Sequence, residues 1–185
     1  RIGPIGRPSR HIPPQVFLFC HFYPLNFRYA TQLFIHITMS YKGKWRPKNR
    51  EKYEGDPTRI TYRSLWERQA FKWCDQNPKI KSWSSESVVV PYRLMTDGKM
   101  HRYFVDLKIT FTNGKTVLVE IKPKKQTKPP KKPARKTRRH LKEVRTYAMN
   151  ISKWSFAEEY AKDRGWEFQV WTEDTLKDLG IKILK

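Results

Sequence analysis

Apolar and polar positions alternate most regularly between Arg102 and Lys122, where the chain reads RYFVDLKITFTNGKTVLVEIK. The alternation continues on both sides of Asn113-Gly114, a dipeptide that favours a tight turn. The pattern therefore predicts a β-hairpin. Asp106 lies near the middle of its first strand, and its second strand ends in Glu-Ile-Lys at residues 120–122.

The register of this hairpin decides which side chains share a face. A strict two-residue turn puts the acids Asp106 and Glu120 on opposite faces of the sheet. A three-residue loop with Gly114 in the left-handed conformation instead pairs Leu107 with Ile121 and collects apolar side chains in one layer. The apolar pattern favours this second register, in which both acids share the other face with the lysine that ends the second strand. An ordinary solvated face with alternating charges is the alternative interpretation.

Further elements are predicted on both sides of the hairpin. They are helices at 63–76, 136–150, 151–164 and 173–179, and strands at 86–94 and 166–172. Asn77-Pro78 ends the first helix, Gly165 and Gly180 end later ones, and Pro91 indicates an edge strand or a bulge. The order helix, three strands, helix, strand, helix predicts a single α/β sandwich with a mixed sheet.

The net charge of the chain indicates which kind of partner it binds. The chain has 185 residues with 39 Lys and Arg against 17 Asp and Glu, a formal net charge of +22. Such a surface attracts polyanions, and nucleic acid is the usual partner. An anionic membrane is the competing partner, but no segment reaches the roughly 18 uninterrupted apolar residues of a membrane span. Cys20 and Cys74 provide neither a disulfide framework nor zinc-ligand spacing, which fits a reducing, intracellular setting.

The first 38 residues differ from the rest of the chain. They contain no Asp or Glu, begin with Arg, and include five prolines among aromatic residues. One interpretation is a basic targeting peptide. The preferred hypothesis is that translation starts at Met39 and that residues 1–38 are upstream sequence without a fold of their own.

Two basic segments flank the predicted core, which occupies residues 63–185. Residues 39–62 are expected to form an extended basic arm, and residues 122–139, with ten Lys and Arg, four prolines and no acid, an open basic loop. Such segments suit contacts with a phosphate backbone rather than with bases. The candidate DNA-binding residues are Lys42, Lys44, Arg46, Lys48, Lys124, Lys125, Lys128, Lys131, Lys132, Arg135, Lys136, Arg138 and Arg139.

Two carboxylates beside a lysine are suited to metal-dependent hydrolysis of phosphodiesters. Asp106 and Glu120 can hold a divalent cation, while Lys122 polarises the attacking water and stabilises charge on the phosphate. Lys122 can alternatively be the first charge of the basic loop. Glu67, in the sequence Ser64-Leu-Trp-Glu, matches a helix capping box, but it also lies on an otherwise apolar helix face, where a metal ion would compensate its charge.

These residues resemble a known family. Glu67 on a first helix, then Asp106, then Glu120-Ile121-Lys122 resembles the PD-(D/E)xK nuclease core, with Val105 where the motif often has proline. The strings YKGKWRPKNREKYEGDP, ITYRSLWER, VVVPYR, DGKMHRYFVD and VEIKPKKQTKPP are similar to the head completion nucleases of T-even-type tailed phages. The strings SLWE and WEFQVWTEDTLKDLGI also resemble, more loosely, TnsA-type transposon-end nucleases.

The resemblance implies a restriction-endonuclease-like fold and a deoxyribonuclease that needs Mg²⁺ or Mn²⁺ and cuts double-stranded DNA with little sequence preference. It implies that Asp106, Glu120 and the Ile121 carbonyl bind the cation, that Lys122 is catalytic, and that Glu67 is an accessory acid, binding the cation directly or through water. It further implies phage head or neck proteins as partners, in the cytoplasm of the infected bacterial host. A transposon-end endonuclease and a neck protein that binds DNA without cutting it are the alternatives, and exonuclease and endonuclease action both remain open.

Overall fold

The structure, a computed structural model, describes residues 41–133, 135 and 137–184. This part contains eight strands, three α-helices and two short 3-10 helices, Arg50–Lys52 and Lys124–Gln126. In chain order the strands and α-helices are β1 Gly43–Lys44, β2 Thr61–Tyr62, α1 Leu65–Gln76, β3 Ile80–Ser85, β4 Val89–Arg93, β5 Met100–Phe104, β6 Leu107–Phe111, β7 Thr116–Ile121, α2 Arg138–Lys162, β8 Glu167–Trp171 and α3 Glu173–Asp178. The expectations for residues 1–38, for a start at Met39 and for Lys136 lie outside the described residues.

The central sheet is mixed. Its strands lie in the order β3-β6-β7-β8, with β6 antiparallel to both β3 and β7, and β8 parallel to β7. All six residues of β7 are buried because this strand has a neighbour on each side. Helices cover both faces of the sheet, which confirms the predicted α/β sandwich with a mixed sheet.

Two apolar clusters separate the faces of this sheet. On one face, Phe71 and Cys74 of α1 pack with Leu107, Ile109 and other residues of β6 and β7. On the opposite face, Leu118 of β7 packs with α2 and with the hairpin formed by β4 and β5. This arrangement follows from period-two alternation, since neighbouring residues of a strand point to opposite faces. The predicted face is therefore confirmed for the apolar residues of β6 and β7. Tyr103 and Val105, predicted on the face of Leu107, instead pack with Leu118 on the opposite face.

The register of the β6–β7 hairpin differs from the predicted one by two residues. Leu107 pairs with Val119 rather than Ile121, and the three-residue loop is 112–114 rather than 113–115. Gly114 has φ +84°, the left-handed conformation that the loop was expected to require. A shift of two residues leaves every side chain on its predicted face, so the alternation could not distinguish the two registers.

The predicted element order was wrong in the number of strands between the first two helices. Five strands lie there instead of three, because β3 was not predicted and the long strand expected through Asp106 is divided into β5 and β6. β5 pairs with β4 in a separate two-stranded sheet, so the chain changes sheets at Val105 and Asp106. Pro91 lies in β4, whose described partner is β5 alone, and the predicted edge position is confirmed.

The helices follow their predicted signals, with one difference. Ser64 caps α1 by accepting a hydrogen bond from the Glu67 N–H. The two helical segments predicted to meet at Asn150 form the single helix α2, because Asn150 is buried within it and no proline or glycine interrupts the chain there. Gly165, at φ +68°, follows the end of α2 as expected. Among the described residues, none of the helices is both long and apolar enough to cross a membrane.

The basic arm predicted at residues 39–62 packs against the core where it is described. Pro47 is buried and Trp45 packs edge-on against Phe71 of α1, at 6.5 Å between ring centroids. The backbone N–H groups of Lys48 and Asn49 donate to Asp75 at the end of α1. This segment belongs to the same compact unit as the rest of the described chain.

Candidate active site

Three of the predicted site residues meet where β5, β6 and β7 come together. Asp106 lies between β5 and β6, Glu120 is the fifth residue of β7, and Lys122 directly follows that strand. The N–H of Ile121 donates to Asp106 Oδ2 at 2.8 Å, which ties the aspartate to β7 beside Glu120. The junction therefore brings both acids and the lysine to one place.

Glu120 is held at both of its carboxylate oxygens. Its side chain is only 3% exposed, Lys122 Nζ donates to Oε1 at 2.9 Å, and the Tyr103 hydroxyl donates to Oε2 at 2.7 Å. Tyr103 is itself buried. Because both hydrogen bonds come from side chains with fixed surroundings, the Glu120 carboxylate has a defined orientation within the protein.

Asp106 is surrounded by protein yet keeps partial access to solvent. Burial raises its pKa well above the usual aspartate value, and the negative charge of Glu120 raises it further. The ammonium of Lys122 and the Ile121 N–H oppose this change without cancelling it. The site therefore holds two neighbouring acids whose repulsion is not fully compensated by the chain.

This donor set fits a hard divalent cation. Carboxylate and carbonyl oxygens are the ligands of Mg²⁺ and Mn²⁺, and a cation beside Asp106 and Glu120 would relieve their repulsion. Within the described ranges, no group of three His, Cys, Asp or Glu side chains is gathered to hold a metal ion. The chain thus offers two carboxylates and, as a further candidate, the backbone carbonyl of Ile121, and water or substrate oxygens would have to complete the coordination.

Lys122 faces the acids rather than the open loop that follows it. Burial lowers the pKa of this lysine, but the charges of Glu120 and Asp106 outweigh burial and raise it above the usual value. Lys122 is therefore protonated at neutral pH. Its position and charge suit a role toward a phosphate at the acid pair.

Glu67 shows features of both interpretations that the sequence left open. Its carboxylate accepts from the Arg63 N–H at 2.7 Å and from the Ser64 hydroxyl at 2.9 Å, so it contributes to the cap of α1. Burial raises its pKa, and its charge also acts on Asp106 and Lys122. Glu67 thus lies at the edge of the site with both oxygens already hydrogen-bonded.

Three residues that the sequence analysis did not assign also surround the site. Tyr103 holds Glu120, Lys153 of α2 lies over the Tyr103 ring at 5.5 Å, and Glu86 has φ +50° beside the chain at Asp106. Glu86 also pairs with Arg63 at 2.7 Å. Helix spacing in the sequence could have indicated Lys153, because this lysine lies four residues before a buried alanine of α2 on the same helix face.

The predicted DNA-binding residues fall into two groups. Those of the first segment form a ridge, defined here as Lys42, Lys44, Arg46 and Lys48, which are all exposed. The intervening residues 43, 45 and 47 are less exposed, so the four cations alternate with them on the solvent side of this segment.

The second group lies on the basic loop and the start of α2. Lys124 pairs with Asp174 of α3 at 2.5 Å, and Arg139 pairs with Glu143 at 3.3 Å, so part of this group is held by ion pairs. The loop and α2 enclose a cleft of about 820 Å³ whose basic lining includes Lys125, Lys128 and Lys131. The other described members, Lys132, Arg135 and Arg138, are exposed.

Comparison with known proteins agrees with this geometry. Residues 77–173 match the family model described as TnsA-like endonuclease N terminal, and this range includes Asp106, Glu120 and Lys122. The chain is also 47% identical over 148 residues to the head completion nuclease of Enterobacteria phage T4, covering 78% of this chain and 99% of that protein. The chain therefore belongs to the family of the phage T4 head completion nuclease, within the TnsA-like endonucleases.

Proposed function

We propose that this protein is a metal-dependent deoxyribonuclease that hydrolyses phosphodiester bonds of double-stranded DNA during completion of a phage head. One observation carries the proposal: Asp106 and Glu120 lie side by side with their repulsion incompletely compensated, and Lys122 is hydrogen-bonded to one of them. Placing a second acid beside a largely buried acid costs stability, so a purely structural role does not explain the pair. Two neighbouring acids with a perturbed pKa beside a lysine are typical of a metal-dependent site.

Asp106, Glu120 and the backbone carbonyl of Ile121 are the proposed cation ligands, for Mg²⁺ or Mn²⁺. When bound, the cation would supply a Lewis acid for activating water and neutralising charge on the scissile phosphate. Tyr103 and Lys122 fix the orientation of Glu120, since each donates to one of its oxygens. Preorganised ligands avoid the cost of reorienting charged groups during the reaction.

Lys122 has a second role in this proposal, because its charge faces the place where the phosphate would bind. A protonated lysine there can orient the attacking water and stabilise the negative charge that grows in the transition state. Glu67 is proposed as an accessory acid that acts through water, since its own oxygens are engaged at the cap of α1.

The ridge and the basic loop are the proposed contacts to the DNA backbone. Phosphate contacts give affinity without reading sequence, which fits a nuclease with little sequence preference. We expect affinity to fall steeply with salt, with a slope of about −0.9 for each phosphate that the protein neutralises. A nearly salt-independent affinity would contradict this part of the proposal.

The relative's name provides the biological setting of the proposal. By analogy with the T4 head completion nuclease, the protein would act on packaged DNA in the cytoplasm of the infected host, before heads are joined to tails. Head or neck proteins of the particle would then be its protein partners. An exonuclease and an endonuclease would both suit this role.

Cleavage of linear and circular duplex DNA by the purified chain, with and without Mg²⁺, tests the proposal. The parent and an exposed-acid control on α2, Glu158→Ala, should cut when Mg²⁺ is present. Glu120→Ala should not cut, and Glu120→Gln repeats the test if the alanine variant does not fold. Cutting of circular DNA would identify endonuclease action.

Two results would overturn the proposal. If the parent binds DNA but does not cut it, the protein is a DNA-binding component of the neck rather than an enzyme. If Glu120→Gln cuts as fast as the parent, the acid pair is not the active site. Cutting confined to specific ends, and only with a second protein, would favour the transposon-type alternative to which the TnsA-like match also points.

A further inference from the structure

Lys153 occupies an unusual place on α2. Ala157 and Ala161, four and eight residues later on the same helix face, are completely buried against the sheet. A lysine on such a stripe loses hydration, which costs free energy unless another group compensates the charge. Packing alone therefore does not explain why a lysine is found at this position.

The Lys153 ammonium points toward the acid pair without being bonded to it. Its Nζ lies 5.5 Å from the centroid of the Tyr103 ring, and the hydroxyl of that ring donates to Glu120. Among the described residues Lys153 forms no hydrogen bond with an acid, whereas Lys122 already occupies Glu120 Oε1. Lys153 thus remains available to a ligand at the site.

The electrostatics of the site agree with this position. Burial lowers the pKa of Lys153, while Glu120 and Asp106 attract its charge and Lys122 repels it. Glu120, Asp106 and Lys122 therefore all act electrostatically on the Lys153 ammonium. The negative charge of the acid pair disfavours a phosphate, and Lys122 is already paired with Glu120. Lys153 adds a positive charge to the site from α2, which packs on the face of β7 that carries Leu118.

We propose that Lys153 is a substrate-binding residue whose ammonium contacts a phosphate of DNA lying at the acid pair. This inference rests on the proposed nuclease function and adds a residue from α2 to a site otherwise built on β5, β6 and β7. Ammonium groups bind phosphates as point charges, and the Tyr103 ring holds the Lys153 side chain in place. α2 thereby contributes directly to substrate binding as well as covering the sheet.

The test measures DNA affinity over a range of salt concentrations in EDTA, together with cleavage in Mg²⁺ at saturating DNA. Lys153→Met keeps the length of the side chain and removes its charge. Its salt slope should be smaller than that of the parent by about 0.9, the loss of one phosphate contact. Its cleavage rate should fall about 10- to 100-fold. Lys153→Arg should restore most of the slope.

Lys162→Met is the matched control, because Lys162 is an exposed lysine near the end of the same helix. It should leave the salt slope and the cleavage rate unchanged. An unchanged salt slope in Lys153→Met would overturn the proposal. If the slope is unchanged and the melting temperature of Lys153→Met is lower than that of the parent, the contact between Lys153 and Tyr103 is purely structural. If Lys153→Met does not fold, Lys153→Gln takes its place.

The same measurements separate this inference from the function on which it rests. A parent that binds DNA but does not cut it refutes the nuclease function, while the slope of Lys153→Met still decides whether Lys153 contacts a phosphate. A parent that cuts, together with a Lys153→Met variant of unchanged slope, leaves the nuclease function intact and refutes the role of Lys153.

Discussion

Two aspartates of this domain are withdrawn from bulk solvent in different ways. Asp75, in the last turn of α1, is only 1% exposed. Its two oxygens accept from the backbone N–H groups of Lys48 and Asn49 at 2.9 and 3.0 Å. Asp106 keeps partial access to solvent, accepts one backbone N–H from Ile121, and faces a second acid. The protein satisfies one charge and leaves the other partly uncompensated.

We interpret this difference as that between a structural acid, Asp75, and a proposed functional acid, Asp106. Asp75 holds the ridge-bearing segment against α1, because its carboxylate bonds to the backbone of that segment on both oxygens. Asp106 gains nothing comparable from the fold, and its repulsion with Glu120 costs stability as long as no cation is bound. Exchanging each acid for a neutral residue should therefore have opposite consequences at the two positions.

The largest expected effect is on cleavage by Asp106→Asn. Asparagine can still accept from the Ile121 N–H but provides no charge for a cation, so cleavage of duplex DNA in Mg²⁺ should fall on the order of 10³-fold or more. The measurement is the single-turnover rate at saturating DNA. Asp178→Asn, at an exposed aspartate that ends α3, is the control and should cut like the parent.

A cleavage rate within tenfold of the parent in Asp106→Asn would remove the distinction between the two aspartates. It would show that Asp106, like Asp75, serves the fold. Loss of cleavage together with loss of folding would also contradict the distinction, because Asp106→Asn is expected to fold at least as well as the parent.

The next largest effect is on stability, at the structural aspartate. Asp75→Ala leaves two backbone N–H groups without their acceptor, and the free energy of unfolding should fall by about 2–4 kcal/mol. The melting temperature should then drop by roughly 5–15 °C. Cleavage at saturating DNA, measured well below the melting temperature, should stay within a few-fold of the parent. Asp178→Ala, at the exposed aspartate that ends α3, is the stability control. If Asp75→Ala is as stable as this control, the hydrogen bonds of Asp75 contribute little.

A smaller effect of opposite sign is expected for the stability of Asp106→Asn. Because the pKa of Asp106 is raised in the folded state, its contribution to stability is full below the ordinary aspartate pKa and is lost as pH rises through the folded value. Without divalent cations at pH 8, Asp106→Asn should therefore melt above the parent. The gap should shrink as the pH falls toward the ordinary carboxyl range.

Thermal melting of the parent and of Asp106→Asn in EDTA from pH 5 to pH 8 measures this difference. Melting with added Mg²⁺ provides a second comparison. The cation should raise the melting temperature of the parent more than that of Asp106→Asn, because it binds the folded parent more tightly. A parent that melts above Asp106→Asn at pH 8 in EDTA would mean that the carboxylate is well compensated by the fold.

The features predicted from the sequence are those that local patterns determine. The helix α1 follows from its apolar period, its Ser64 cap and the Asn77-Pro78 end, and period-two alternation gives the faces of the hairpin. The same alternation brings Asp106 and Glu120 to one side of the hairpin. These features depend on residues close to one another in the chain, so the sequence alone contains their signals.

The features that were missed depend on distant partners. The sequence of β3 is largely polar, and its strand conformation comes from pairing with β6. The break at Asp106 arises because β5 pairs with β4 while β6 joins the central sheet. Lys153 reaches the site because α2 packs beside Tyr103 of β5. Tertiary pairing sets the conformation of β3 and the break at Asp106, which no local pattern encodes, whereas for Lys153 the helix spacing gives its face but not its neighbours.

The smallest expected effects concern Glu67, which combines the two kinds of acid. It is hydrogen-bonded like Asp75, yet its charge acts on Asp106. Ser64→Ala removes the cap of α1 and should lower stability by about 1 kcal/mol, with cleavage within twofold of the parent. Glu67→Gln should lose similar stability and also cut about tenfold more slowly, because it removes a charge from the site.

Comparing Ser64→Ala with Glu67→Gln therefore decides which kind of acid Glu67 is. Both variants weaken the same helix cap, so a difference in cleavage between them must come from the Glu67 charge and not from the cap. Single-turnover rates of the two variants at matched distance below their melting temperatures give that difference. Equal rates would place Glu67 with Asp75 as a structural acid and would confine the functional acids to Asp106 and Glu120.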